Sequence, residues 1–139
     1  MFTIALQVRR LDSLEPEDEN FVFRKLADWE FLIVSLYRLQ RAAEIATATE
    51  RGVTKVIPAL VQFRKRVPGL KTMRDVSEHF DEYALDNNKR HRKEIDRTQL
   101  EVGLNSESFV WLGHELNAAV AKRAAEELFS AVRDLYRTG

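Results

Sequence analysis

The chain has 139 residues, with 22 basic and 22 acidic side chains for a formal net charge of zero. That length suits one domain spanning residues 1–139, and the charge balance argues against a broad nucleic-acid-binding surface, which carries a basic excess. The absence of cysteine excludes disulfides, thiolate catalysis and Cys-bound zinc.

Only five Gly and three Pro interrupt a sequence that is 45% hydrophobic and 32% charged. This is the profile of a globular chain rich in helix formers. The opening run from Met1 to Arg10 places its positive charge after the apolar residues, unlike a secretory signal. No stretch approaches the roughly 20 apolar residues that span a bilayer. A cytoplasmic protein with no membrane contact is the expectation.

Residues 2–14 read as a short helix with apolar positions at Phe2, Leu6, Leu11 and Leu14. Pro16 within the acidic cluster Glu15–Glu19 suits the first turn of a second helix, where negative charge meets the positive end of the macrodipole. From Asn20 to about Thr49, Phe21, Val22, Leu26, Trp29, Ile33, Leu36, Tyr37 and Leu39 recur at helical spacing. Phe31-Leu32-Ile33-Val34 makes the middle of this helix apolar nearly all round, as core or as a dimer seam. Gly52 reads as its C-terminal stop.

A third helix is expected over 53–66, with Pro58 kinking it or delaying its start. Pro68-Gly69 then forms a turn. Leu70, Met73, Val76, Phe80 and Tyr83 define an amphipathic fourth helix of about four turns, which Asp86-Asn87-Asn88 ends. Gln99–Val102 and Ser108–Leu112 read as two short strands joined through Gly103–Glu107 into a hairpin. Asn117 is placed to cap a last helix over 118–137. The expected fold is mainly α: an antiparallel bundle of four or five helices with a short β-hairpin before the last.

The fourth helix carries the densest chemistry. Asp75 and His79 are four residues apart and share a face, as do Arg74 and Glu78. Histidine exchanges protons near neutral pH, and an arginine fork fits a phosphate, including one gaining charge in a transition state. An Asp75 carboxylate on the imidazole would fix its tautomer. These groups suffice for metal-independent RNA cleavage by the ribose 2′-hydroxyl. Their plainer reading is two i,i+4 pairs on a solvated helix, with Glu78 neutralising Arg74.

The pattern Arg74-Asp75-x-x-x-His79 resembles the signature of HEPN domains (higher eukaryotes and prokaryotes nucleotide-binding). The resemblance implies a helical bundle whose motifs meet across a homodimer. It further implies either a metal-independent RNase of a toxin–antitoxin or defence system, or a non-catalytic module that binds nucleotides, RNA or protein. Catalysis would then fall to Arg74, His79 and Asp75, with RNA and an antitoxin or other protein as partners.

The basic run Lys89, Arg90, His91, Arg92 and Lys93 offers phosphate contacts near the motif, and Arg64-Lys65-Arg66 would extend the track. His79, His91 and His114 lack metal-ligand spacing, so neither a metal nor a cofactor is expected. Trp29 and Trp111 read as core residues.

Overall fold

A computed structural model of the chain describes residues 1–13, 20–78, 102–105 and 107–137. Helix α1 (Phe2–Asp12) buries Ile4, Gln7, Val8 and Leu11. Its inward stripe therefore runs through Ile4 and Val8, whereas Phe2 is exposed. Arg9 and Arg10 occupy its last turn, where positive charge complements the helix dipole.

Helix α2 (Phe21–Ala46) begins after Asn20; the acidic cluster around Pro16 lies outside the described residues. The core side of α2 presents Trp29, Leu32, Ile33 and Leu36, all essentially inaccessible, while Phe31 and Val22 face outward. The apolar middle is thus split between core and surface. The helix ends as the Thr47 hydroxyl donates to the Glu44 carbonyl at 2.6 Å.

Gly52 is not that helix's stop. It lies in the first turn of α3 (Glu50–Arg66), whose N-cap Thr49 accepts from the Gly52 amide at 3.0 Å. A Cβ at Gly52 would sit 1.9 Å from the Ala46 carbonyl oxygen. This glycine therefore serves the close approach of two backbones rather than a left-handed cap.

Helix α3 continues through Pro58 and starts earlier than expected, at Glu50. Pro58 is exposed, so the carbonyl it leaves without an intrahelical donor can turn to water. Val56, Leu60 and Phe63 fill the opposite, buried face.

The Pro68-Gly69 turn brings the chain into α4, described over Leu70–Glu78. Gly69 has φ +71, and a Cβ there would lie 2.2 Å from the His114 ring. Leu70, Met73 and Val76 are the buried residues of α4.

The β element has three strands, β1 (Gly103–Leu104), β2 (Ser108–Trp111) and β3 (His114–Asn117), antiparallel in the order β1-β2-β3. Gly103 and Leu104, expected in a linking turn, are themselves paired with Val110 and Phe109. The added strand β3 follows a two-residue turn with Leu112 at φ 55 and Gly113 at φ 75. Positive φ at both central positions matches the right-handed twist of a hairpin. Asn105 closes the other turn, its side-chain oxygen accepting from the Glu107 and Ser108 amides.

Helix α5 (Ala118–Arg137) follows the sequence reading closely. The Asn117 side chain accepts from the Val120 amide at 3.0 Å, which satisfies one unpaired donor of the first turn. Its buried face is Ala118, Ala121, Ala124, Ala125, Leu128 and Leu135, and the four alanines let it lie close against α3. The result is a mainly helical bundle with a small sheet before its last helix. Among the described residues, no helix is long and apolar enough to cross a membrane.

Candidate functional site

The packing of α4 on α2 decides where Arg74 goes. Its guanidinium lies over the Tyr37 ring, 4.9 Å from the centroid, a cation–π arrangement. One terminal nitrogen donates to Asp75 Oδ1 at 2.9 Å and the other pairs with Glu78 Oε2 at 3.0 Å. The hydrogen bond to Asp75 raises the Arg74 pKa, with Glu78 adding to the effect and partial burial opposing it. Arg74 is therefore a braced, permanently charged group at the edge of the core.

Of the residues expected to form the site, the structure thus joins Arg74 and Asp75 directly and adds Glu78. His79 lies outside the described residues, and so do Lys89, Arg90, Arg92 and Lys93. The neighbouring basic track is bound into ion pairs: Arg64 to Glu44 at 2.8 Å and Arg66 to Glu127 at 2.6 Å. Trp29 and Trp111 are buried, as expected of core residues.

The braced arginine borders an open cleft of about 350 Å³ between α2 and α4, lined by Val34, Tyr37, Arg38, Arg41, Ala42, Ile45, Arg74 and Glu78. Three guanidinium groups thus surround a wall of apolar side chains and one phenol. Arg41 is paired with Glu44. Arg38 is exposed and has no ion-pair partner among the described residues. Sequence reading took Tyr37 only as part of the apolar pattern of its helix and did not single out Arg38 and Arg41. Their only sequence signal is the i,i+3 arginine pair following Val34, which does not specify its neighbour across the fold.

Glu44 ties the cleft residue Arg41 to α3. It accepts from Gln40 Nε2 at 3.0 Å, from Arg64 on α3 at 2.8 Å, and from Arg41. Partial burial works against its ionisation, but the hydrogen bonds from Gln40, Arg64 and Arg41 outweigh this and hold the carboxyl below its ordinary range.

A depressed folded-state pKa contributes stability that is fully present above the unfolded value, about 4.3 for Glu. That contribution is lost as pH falls through the folded pKa. Because both arginines are about half exposed, the contribution should be about 1 kcal/mol or less. In urea titrations at a series of pH values, wild type should exceed Glu44→Gln at pH 7, and the gap should close towards pH 3. A gap independent of pH would assign the effect to packing.

Among the described residues, no three His, Asp or Glu side chains are grouped to hold a metal ion. Comparisons with protein-family models, with curated proteins and with solved structures found no match. The chemistry of the cleft is therefore argued from its own residues.

Proposed function

We propose that the protein is a HEPN-like helical module that binds the phosphate groups of a nucleotide or single-stranded RNA in the α2–α4 cleft. The observation that carries this reading is Arg38, which has no ion-pair partner among the described residues, beside Arg41 and Arg74 in a cleft whose other lining is Val34, Ala42, Ile45, Tyr37 and Glu78. Guanidinium forks complement phosphate oxygens. Val34, Ile45 and the Tyr37 side chain supply surface for a base or sugar. Arg74 gives Asp75 and Glu78 one donor on each terminal nitrogen, which leaves its other N–H groups for a phosphate.

The test is fluorescence anisotropy with a labelled single-stranded RNA, with ATP as competitor. Removing Arg38 or Arg41 as Ala should weaken binding several-fold. Each lost phosphate contact should also lower the log–log salt slope by about 0.7. Wild-type affinity in both variants, or no binding by wild type, removes the proposal.

A metal-independent endoribonuclease is the second reading, favoured by the bracing of Arg74 at the cleft edge. It requires cleavage of RNA without divalent metal by wild type and its loss in His79→Ala. Intact RNA in both reactions leaves binding as the function.

A further inference from the structure

Arg38 borders two cavities. Beyond it lies a groove of about 350 Å³ between α1, α2 and α5, and Arg38 and Ala42 line both this groove and the α2–α4 cleft. With each residue advancing about 100° around the helix, Tyr37 and Arg41 fall on the cleft side of Arg38, and Ser35 and Leu39 on the groove side. Helix α2 is thus a ridge one helix wide, with Arg38 and Ala42 exposed along its crest.

The two cavities share a plan. In the cleft, the Tyr37 ring lies beneath the Arg74 guanidinium, 4.9 Å from the centroid. The groove is lined by Phe129 of α5, whose ring lies beneath the Arg133 guanidinium at 5.9 Å. Aromatic rings and guanidinium planes are the surfaces on which unpaired bases stack.

Around Phe129 the groove is apolar through Ile4, Leu39 and Val132, and Thr3 and Ser35 contribute hydroxyls that can donate to or accept from a base edge. Among the described residues that line it there is no acidic side chain. An apolar cavity with a few polar groups is the ordinary form of a small-ligand site.

We infer that this groove holds a second base, so that a single strand crosses α2 with one phosphodiester on Arg38. One flanking base then lies in the cleft and the other in the groove. The inference rests on the phosphate reading above and narrows its ligand to two successive nucleotides of single-stranded RNA. A phosphodiester carries a nucleoside on each side, and an unpaired strand can splay its bases apart, so the two can straddle the ridge. Arg41 and Arg74 line the cleft alone, whereas Arg38 reaches both cavities and has no ion-pair partner among the described residues. A mononucleotide has one base and leaves the groove unfilled.

The experiment is isothermal titration calorimetry of the full chain with AMP and with the dinucleoside monophosphate ApA. The phosphomonoester of AMP carries more negative charge at neutral pH than the single phosphodiester of ApA, so charge alone favours AMP. Wild type should nevertheless bind ApA about fivefold more tightly or better, the gain expected from stacking one more base. Phe129→Ala should erase that advantage and leave the Kd for AMP within about twofold, as independent positions do. Phe129→Leu keeps the apolar volume and removes the ring; it should lose most of the advantage while its circular dichroism matches wild type.

Two results overturn the second-base pocket and leave the phosphate reading standing. One is AMP binding as tightly as ApA to wild type, and the other is an ApA advantage that persists in both Phe129 variants. Binding of neither ligand removes the phosphate reading, and the inference with it.

Discussion

Replacing Trp29 by alanine should destabilise the fold by about 3–5 kcal/mol, the range for truncating a fully buried large aromatic. That loss is a large share of the stability of an ordinary domain, about 5–15 kcal/mol. Trp29 is completely inaccessible and joins the long helix to the sheet in two ways. Its indole stacks on Phe109 at 5.6 Å, and Phe109 in turn meets the edge of Trp111 at 5.9 Å. Its Nε1 donates to the Asn105 carbonyl oxygen at 3.1 Å, within the turn between β1 and β2.

A short sheet is marginal in isolation and needs a packed partner; here Trp29 supplies both the apolar surface and the polar anchor. Trp29→Phe should preserve most of the ring packing but remove the donor, at about 1–3 kcal/mol for a carbonyl left short of its partner. Urea unfolding of the two variants gives both values. Amide exchange should quicken in β1 and β2 before it does in α3 and α5. A Trp29→Ala loss below about 1 kcal/mol, outside the range for a buried aromatic, would mean that the sheet does not depend on this contact.

The same contact shows what kind of information the sequence holds. Helical spacing and Asn117 sufficed for α5, because a cap and its helix are neighbours in the chain and obey local rules. The Pro68-Gly69 turn was legible for the same reason. Strand β3 was not, since its turn uses Leu112 at φ 55. That residue carries no turn signature, and it is buried in the core despite its backbone conformation.

Gly52 misled because a glycine after a helix reads as a cap. Its actual role depends on the Ala46 carbonyl approaching from the preceding helix end. In the candidate site, the i,i+4 pair Arg74–Glu78 could be anticipated from spacing, whereas Asp75, expected to orient His79, also accepts from its neighbour Arg74, which helical spacing does not signal. Tyr37, Arg38 and Arg41 join them only through the packing of α4 on α2, a tertiary fact that no spacing on either helix encodes.

Lys25→Ala should cost about 3 kcal/mol or more, combining the cavity left by a long buried side chain with carbonyls deprived of a donor. Lys25 is 1% exposed, so its amino group has lost its hydration and needs hydrogen bonds from the protein in its place. The compensation comes from the C-terminal end of α1. Nζ donates to the Leu11 carbonyl at 2.9 Å and approaches those of Arg10 and Ser13 at 3.4 Å each. These are groups that a helix end leaves without intrahelical donors, and the negative end of the macrodipole favours a cation there.

One turn along α2, the buried Asp28 accepts from Arg10 Nε at 2.7 Å. The two helices are therefore clasped reciprocally, by a lysine of α2 on the backbone of α1 and an arginine of α1 on a carboxylate of α2. Lys25→Met separates the two contributions, because it keeps the apolar stem and removes only the donors. It should fall between wild type and Lys25→Ala in urea unfolding, about 1–3 kcal/mol below wild type. If Lys25→Met instead matches wild type, the lysine serves α1 by filling space and its bonds offset only their own desolvation.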